Sequence, residues 1–557
     1  MATKKIIVLG GGVAGLSAAH ELAERSGFGV DFEIHVYDRR DHAVGGKARS
    51  IAVPNSATGG RDPLPGEHGF RFFPGFYKHL PDTMGRIPYG TASVFENLVV
   101  ADRMEVARFD KPPIVISSRF PQSISDLVTD FEALFDGDTG LLPGEAKFFA
   151  ERLWQILTSC AERRLGEYEK ITWWNYLEAG RHSRAYQTLL VDGLSRSLLA
   201  NDPVHASVRT VGDTNIQLLL GMLAPGHPTD RLLNGPTSKV WLEPWRQHLE
   251  GLGVIFHLGE SVDSFGIAGG QVTSASLTGP GGTHQVTGDA YIFALPVERM
   301  GELLTNSAGG PDDPQKGDPA LANILQIAAN VRWMNGIQFF LFQDVPIAHG
   351  HVLYSDTPWA LTSISEAQFW SQEHLPQCGD GTVRGILSAC ISCWNAPGIV
   401  FGKTALDCTR EEIAQEVWAQ IKKSVNVEGQ EILTNANVHS HFLDPDLVQS
   451  SGGKLTLTDA EPLFVNFINS WALRPEAVTA TSNMVLASDY VRSFTDVACM
   501  EAANEAARRA VNGLLTLFGS SADPCELWPL HEPGIFAPFR WHDKRRFDQG
   551  LPWDGHI

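Results

Sequence analysis

Residues 4–27 read KKIIVLGGGVAGLSAAHELAERSG. The β-branched run 4–9 has the composition of a buried parallel strand. Gly10, Gly12 and Gly15 follow as G-x-G-x-x-G, and residues 16–27 then read as a helix stopping at Gly27. The first glycine permits a tight turn, the second lets a pyrophosphate approach the backbone, and the third allows close packing of helix on strand. The helix start, with Val13 and Ala14 between the glycines, offers unpaired N–H groups and a partial positive charge to phosphates. A second strand, EIHVYD (33–38), ends in Asp38, 23 residues beyond Gly15. An acid there can accept hydrogen bonds from ribose hydroxyls, and Arg39 beside it joins the cofactor-binding candidates. Strand, helix, strand and acid make one βαβ dinucleotide unit.

Composition bounds what such a unit can serve. The 557 residues suffice for two or three domains. A formal net charge of −20 argues against nucleic acid as a partner and allows at most peripheral membrane contact. No apolar run approaches the roughly 20 residues that span a bilayer, and the short apolar start runs straight into the glycines, so a cytoplasmic protein is expected. Seven cysteines with scattered spacing make no disulfide framework. Cys390 and Cys393, in SACISCW (388–394), have C-x-x-C spacing, but no second pair completes a zinc site. They read as buried thiols, and no metal is expected.

Further along, 120–235 is mostly helical and tryptophan-bearing, and 239–262 reads as a helix feeding a strand. Strands dominate around 336–343, 351–363 and 383–394, and a helix lies near 409–425. The fold class is therefore α/β: a Rossmann-like dinucleotide-binding domain, a discontinuous α+β substrate domain and a helical insertion. The expected division is 1–100, 235–300 and 470–520 for the dinucleotide-binding domain, whose cofactor the segments below identify as FAD, and 101–234 for a helical substrate or lid region. Residues 301–469 would form the substrate-binding domain, and 521–557 a tail. RWHDKRRF (540–547) in that tail reads as a solvated charge run.

Two segments favour FAD over NAD. After Asp38, DHAVGGKARS (41–50) supplies a second glycine turn, Gly45-Gly46-Lys47, and a basic, hydroxyl-bearing stretch. Near the C-terminus, NMVLASDY (483–490) and VACMEAANEAARRAVNGLL (497–515) give strand, acid and helix. Asp489 can hold ribitol hydroxyls. The N–H groups around Met500 and Glu501 can stabilise negative charge on a reduced flavin.

Together these blocks resemble the flavin amine oxidase and phytoene desaturase superfamily, with its G-x-G-x-x-G, G-G-[RK]-x-x-S and C-terminal flavin segment. The resemblance is strong at both ends and weaker in the middle. Ser488 stands where the family usually has glycine, and Ala502-Ala503 where Glu-Gly-Ala is usual. Residues 234–262 resemble the family's helix–strand unit, which implies Val262 against the adenine. GEHGFRFFPGFYKHLPDTMGRIP (66–88) resembles the stretch that plant-type carotenoid desaturases and their squalene-associated relatives place beside the flavin. It implies His68 or Arg71 at the flavin or substrate and aromatics, Phe70 and Phe73 among them, along an apolar tunnel; the bland alternative pairs Arg71 with Glu67. Trp333, Trp359 and Trp471 are candidate cavity walls. RWMNGIQFF (332–340) lacks the lysine that amine oxidases of this superfamily often carry there.

The leading expectation is an FAD-dependent oxidoreductase that desaturates an apolar, isoprenoid- or lipid-like substrate, with oxygen or a quinone as acceptor. The alternatives are oxidation of an amine or amino acid with peroxide release, and a non-redox, flavin-dependent lipid isomerisation. Hydride transfer to a flavin needs few titratable side chains, which suits a chain with no nucleophile triad.

Overall fold

The fingerprint stretch forms a strand, Ala2–Leu9, a turn, and a helix, Val13–Glu24. In the computed structural model, which describes residues 2–117, 139–197, 201–223, 230–449 and 457–555, that strand is the middle of a five-stranded sheet. The order is Ile255–Leu258, Val30–Asp38, Ala2–Leu9, Ala290–Phe293 and Met484–Leu486. Every neighbouring pair is parallel. Ile6, Ile7, Val8 and Leu9 are fully buried, as a strand covered on both faces requires.

The outermost strand comes from the far C-terminus, and the helix after it, Met500–Phe518, packs against Val13–Glu24. Its inward face is short-chained, with Ala502, Ala503, Ala506, Ala507 and Ala510 buried, so the two helices approach closely. Asn504 Nδ2 donates to Ser17 Oγ at 2.8 Å and to Thr83 Oγ1 at 2.9 Å, tying the two ends of the chain together.

A seven-stranded sheet forms the second body, in the order Lys111–Ser117, Arg103–Arg108, Gly350–Tyr354, Leu361–Ser365, Gly385–Ile391, Asn335–Leu341 and Val438–Leu443. One face packs under the helix Arg410–Val425, where Ile337, Phe339, Val352, Tyr354, Leu361, Ala389 and Ile391 meet Ile413, Val417 and Ile421. Strand alternation therefore puts Gln338, His351, Thr362 and Cys390 on the opposite face.

The expected boundary at 101 shifts here. Residues 103–117 are a hairpin turning at Asp110, which has a left-handed φ of 55°. Arg103–Arg108 pairs in parallel with Gly350–Tyr354, so this part of 101–234 belongs to the substrate sheet. The two-residue turn is Phe109-Asp110, not the Asn-Gly or Asp-Gly that marks hairpins in sequence. The rest of the described region is mostly helical, with Glu145–Thr158, Ala161–Gly166 and Val208–Leu223 around Trp173, Tyr176 and Tyr186, and closes on a short strand, Arg231–Leu233.

The charge run in the tail is also corrected. Ala537–Asp548 is a helix, and Asp543 is buried against the helical region. Its carboxylate accepts from Arg163 Nε at 2.9 Å and from the Cys160 N–H at 2.9 Å. Removing one partner of a buried pair leaves the other charge uncompensated. Asp543→Ala should therefore cost about 3 kcal/mol in denaturant unfolding and expose 537–548 to limited proteolysis. Among the described residues, no helix is long and apolar enough to cross a membrane.

Candidate functional site

Between the two bodies lies a cavity of about 450 Å³, lined at one end by the glycine turn. Gly10, with φ +109°, adopts a conformation that L side chains rarely take, and a Cβ there would sit 2.4 Å from Ala294 O. Gly12, Val13 and Ala14 open the helix onto the cavity. Gly15 does not line it; its position keeps helix and turn in contact, since a Cβ there would lie 1.9 Å from Gly10 O. The second glycine turn docks on the first, with Gly45 N–H donating to Gly11 O at 2.7 Å. Gly45, Gly46 and Lys47 thereby reach the cavity.

Asp38 Oδ2 accepts from the Gly11 N–H at 2.8 Å and Oδ1 from the Arg40 N–H at 2.9 Å, which holds the carboxylate at the cavity edge with lone pairs to spare. Arg39 also lines the cavity and pairs with Glu461 at 2.8 Å. Lys47 pairs with Glu298 at 2.7 Å. Val262, on the strand Ser261–Ala268, lines the same end. From the C-terminal block, Asp489 and Met500 complete the wall. Burial, the largest influence on Asp489, raises its carboxyl above the ordinary range. Glu501 turns away: its carboxylate accepts from the backbone N–H groups of Lys78, His79 and Leu80 at 2.7, 2.7 and 2.8 Å, anchoring the helix Met500–Phe518 to 78–80.

At the other end His68 lines the cavity, its Nδ1 bonded to Asp444 Oδ1 at 2.8 Å. Its Nε2 is buried without a partner. Burial, the largest influence, lowers the imidazole pKa and so favours the neutral form. The ligand atoms of His68, Asp444 and Asp446 lie within 4.8 Å of one another, but Arg49 already bridges Asp446 and Glu461 at 2.9 Å each, and we read the group as an ion-pair network. Arg71 spends its guanidinium on the carbonyls of Lys47, Ala48 and Gly69, at 2.7, 3.1 and 3.0 Å. It therefore staples the second glycine turn to the aromatic stretch, and no ion pair with Glu67 forms.

Comparison with known proteins agrees with this arrangement. Residues 8–87 match the family model of the NAD(P)-binding Rossmann-like domain. A carotenoid phi-ring synthase from Chlorobaculum tepidum is 25% identical over 289 residues, covering 50% of this chain and 40% of that protein. The chain thus matches well under half of the curated relative's length. An oxidoreductase from Methanosarcina mazei superposes with a TM-score of 0.57 at 13% identity, covering 92% of this chain and all of that one. Cyclohexylamine oxidase from Brevibacterium oxydans gives 0.55 at 14%, covering 93% and 99%. Putrescine oxidase gives 0.55 at 11%, covering 93% and 100%. The chain shares the overall fold of these three oxidoreductases.

Within that fold the expected tunnel wall is only partly as read. Phe70 lines the cavity, joined by Phe72 and Phe76. Phe73, next along the strand, points into the core and edges against Trp241 at 5.7 Å. None of the three tryptophans is among the cavity's lining residues. Trp359 is fully buried beneath the seven-stranded sheet, where its Nε1–H reaches Ala396 O at 3.0 Å. Trp333 packs edge-on against Trp394 at 5.3 Å. Trp471 is wrapped by the guanidinium groups of Arg209, Arg474 and Arg492, at 3.8, 5.3 and 5.4 Å from its ring centre. Aromatic composition alone does not say which side of a sheet a ring faces.

Sequence reasoning also missed Asp444, Asp446, Glu461, Glu298 and His351, all from the middle of the chain, where no motif marks them. Cys390 reaches the cavity wall, and all seven cysteines are free thiols. Beneath Arg71 two acids are buried together. Glu67 Oε1 accepts from the Thr237 N–H at 2.8 Å, and Gln338 joins the Glu67 backbone N–H to Glu366 at 2.8 and 3.2 Å. Burial raises Glu67 to about 7, and burial with the neighbouring Glu67 raises Glu366 to about 8. Both folded values exceed the ordinary 4.5, so the stability these acids contribute is full below that value and is lost as pH rises through about 7 to 8. Glu366→Gln should flatten this alkaline loss, with a gain on the order of 2 kcal/mol near pH 9 and little change near pH 5, read from melting curves across pH.

Proposed function

We propose that the protein is an FAD-dependent oxidoreductase that dehydrogenates an apolar, isoprenoid- or lipid-like substrate. The observation that carries this reading is the continuity of one cavity from the glycine cradle, past Asp489 and Met500, to a wall of Phe70, Phe72 and Phe76. The residues fit the cofactor: a turn whose Gly10 and Gly15 have no room for Cβ, an acid for the ribose, and the N-terminus of Met500–Phe518 at the far side. When bound, the flavin supplies a two-electron acceptor for hydride leaving a C–H bond.

The chain's own residues then have two tasks. The phenylalanines hold an apolar chain and exclude water. His68, neutral and oriented by Asp444 at Nδ1, presents its Nε2 lone pair to the proton that leaves the carbon next to the hydride donor. Loss of hydride from one carbon and proton from its neighbour leaves the new double bond. Among the described residues Lys47 is the one lysine lining the cavity, and Glu298 holds it, which favours this reading over amine oxidation. Oxygen or a quinone would take the electrons away.

The test is anaerobic mixing of purified protein with isoprenoid polyenes, amines and amino acids while the long-wavelength flavin band is followed. Bleaching by an apolar C–H substrate is expected. Bleaching by amines with peroxide release on aeration, turnover without bleaching, or a preparation that binds no flavin would each overturn the reading.

A further inference from the structure

The aromatic arm of the cavity contains a polar side chain that the mechanism above leaves unused. His351 lies on the strand Gly350–Tyr354, whose Val352 and Tyr354 point into the core, so the imidazole faces the cavity. It is 5% exposed. Neither Nδ1 nor Nε2 has a hydrogen-bond partner. Its neighbours are apolar: the rings of Phe70 and Phe72 stand 5.1 Å away, and the buried Cys390 thiol shares the wall. On the adjacent strand the Thr362 hydroxyl is also buried without a partner. A leucine or phenylalanine would fill this place without stranding two polar atoms, and buried polar groups in folded proteins are paired with few exceptions. A ligand that supplies the partner accounts for the exception.

The chemistry of that ligand follows from the surroundings. Burial alone pushes the imidazole down to about 3, so it is neutral, with one N–H donor and one acceptor nitrogen. A carboxylate would find no counter-charge on it. An ammonium would have to shed its water for a single acceptor among phenylalanine rings. A hydroxyl or carbonyl oxygen meets both limits.

We propose that the substrate carries a neutral oxygen function, a hydroxyl or a carbonyl, on an otherwise apolar skeleton, and that His351 hydrogen-bonds it and sets which C–H bond faces the cofactor end. This rests on the dehydrogenase reading of the cavity, in which His351 is the residue that determines specificity and His68 the one that takes the proton.

The experiment uses flavin-loaded full-length protein, wild type, His351→Phe and His351→Gln, titrated with farnesol, geranylgeraniol, their aldehydes and farnesene. Perturbation of the flavin spectrum reports binding. Wild type should bind an alcohol or aldehyde at least about tenfold more tightly than farnesene, one hydrogen bond's worth of preference. His351→Phe should abolish that preference with farnesene binding kept or improved, and His351→Gln, which retains a donor and an acceptor, should restore part of it. Bound flavin and an unchanged melting temperature show that each variant is folded. If no oxygenated probe distinguishes flavin-loaded wild type from flavin-loaded His351→Phe, the inference fails while the flavoprotein reading stands. If no variant, wild type included, binds flavin, the underlying reading fails first.

Discussion

Purified Gly15→Val protein is expected to be colourless. A Cβ at residue 15 would sit 1.9 Å from Gly10 O, where real Cβ contacts stay above 3.0 Å, so helix and turn must part by about an ångström. The obstacle is backbone and cannot rotate aside. Overpacking of this kind costs about 1–3 kcal/mol by itself. The larger effect is on the cofactor: the N–H groups opening Val13–Glu24 and the turn at Gly10 would no longer converge on one phosphate position. Flavin affinity should fall by at least about a hundredfold, and with it the stabilisation that a tightly held ligand confers, about 4 kcal/mol when the ligand stands at a thousand times its Kd. Visible absorbance after gel filtration, FAD titration of the apoprotein and a melting curve with and without added FAD measure all three. Gly85→Ala is the control, because a Cβ there meets nothing within 4 Å. Wild-type flavin content in Gly15→Val would remove the glycine turn from the cofactor site.

The second large effect is kinetic. His68→Gln should slow anaerobic flavin bleaching by about a hundred- to ten-thousandfold, the range in which a positioned base contributes. Glutamine can still donate to Asp444 from its amide but has no basic nitrogen to face the cavity, so flavin content and substrate affinity should be nearly unchanged. The loss should fall on the bleaching rate at saturating substrate and not on the concentration needed for saturation. Asp444→Asn, which leaves the imidazole in place but weakens its orientation, should cost less than His68→Gln. A His68→Gln rate within about threefold of wild type would move the proton acceptor elsewhere in the cavity.

Much of the glycine-turn end of the cavity was legible because its geometry is local. The tight turn, the helix start and the acid at the end of the second strand are properties of residues close together in the chain, and few residue types satisfy them. The same is true of Gly45-Gly46 and of the short-chained helix at 500–518. The hairpin at 103–117 was not legible, because Phe109-Asp110 at its turn carries no distinctive signal and its partner strand lies over 200 residues away. The tail helix was misread because charge density resembles solvation until one aspartate finds its arginine.

The sequence by itself determined the glycine turn, the Rossmann-like parallel sheet and the bridging of the chain's two ends. Each follows from backbone geometry that only particular residues permit. Tertiary structure alone decided which side chains face the cavity. Phe70 and Phe73 lie three apart in one stretch, yet one lines the wall and the other the core. Trp333, Trp359 and Trp471 went to packing, while Asp444, just past the strand Val438–Leu443, and His351, on Gly350–Tyr354, came to the cavity wall. Whether a ring or an imidazole meets a cavity or a core depends on sheet register and on what packs over each face, and those are set by contacts among residues hundreds of positions apart.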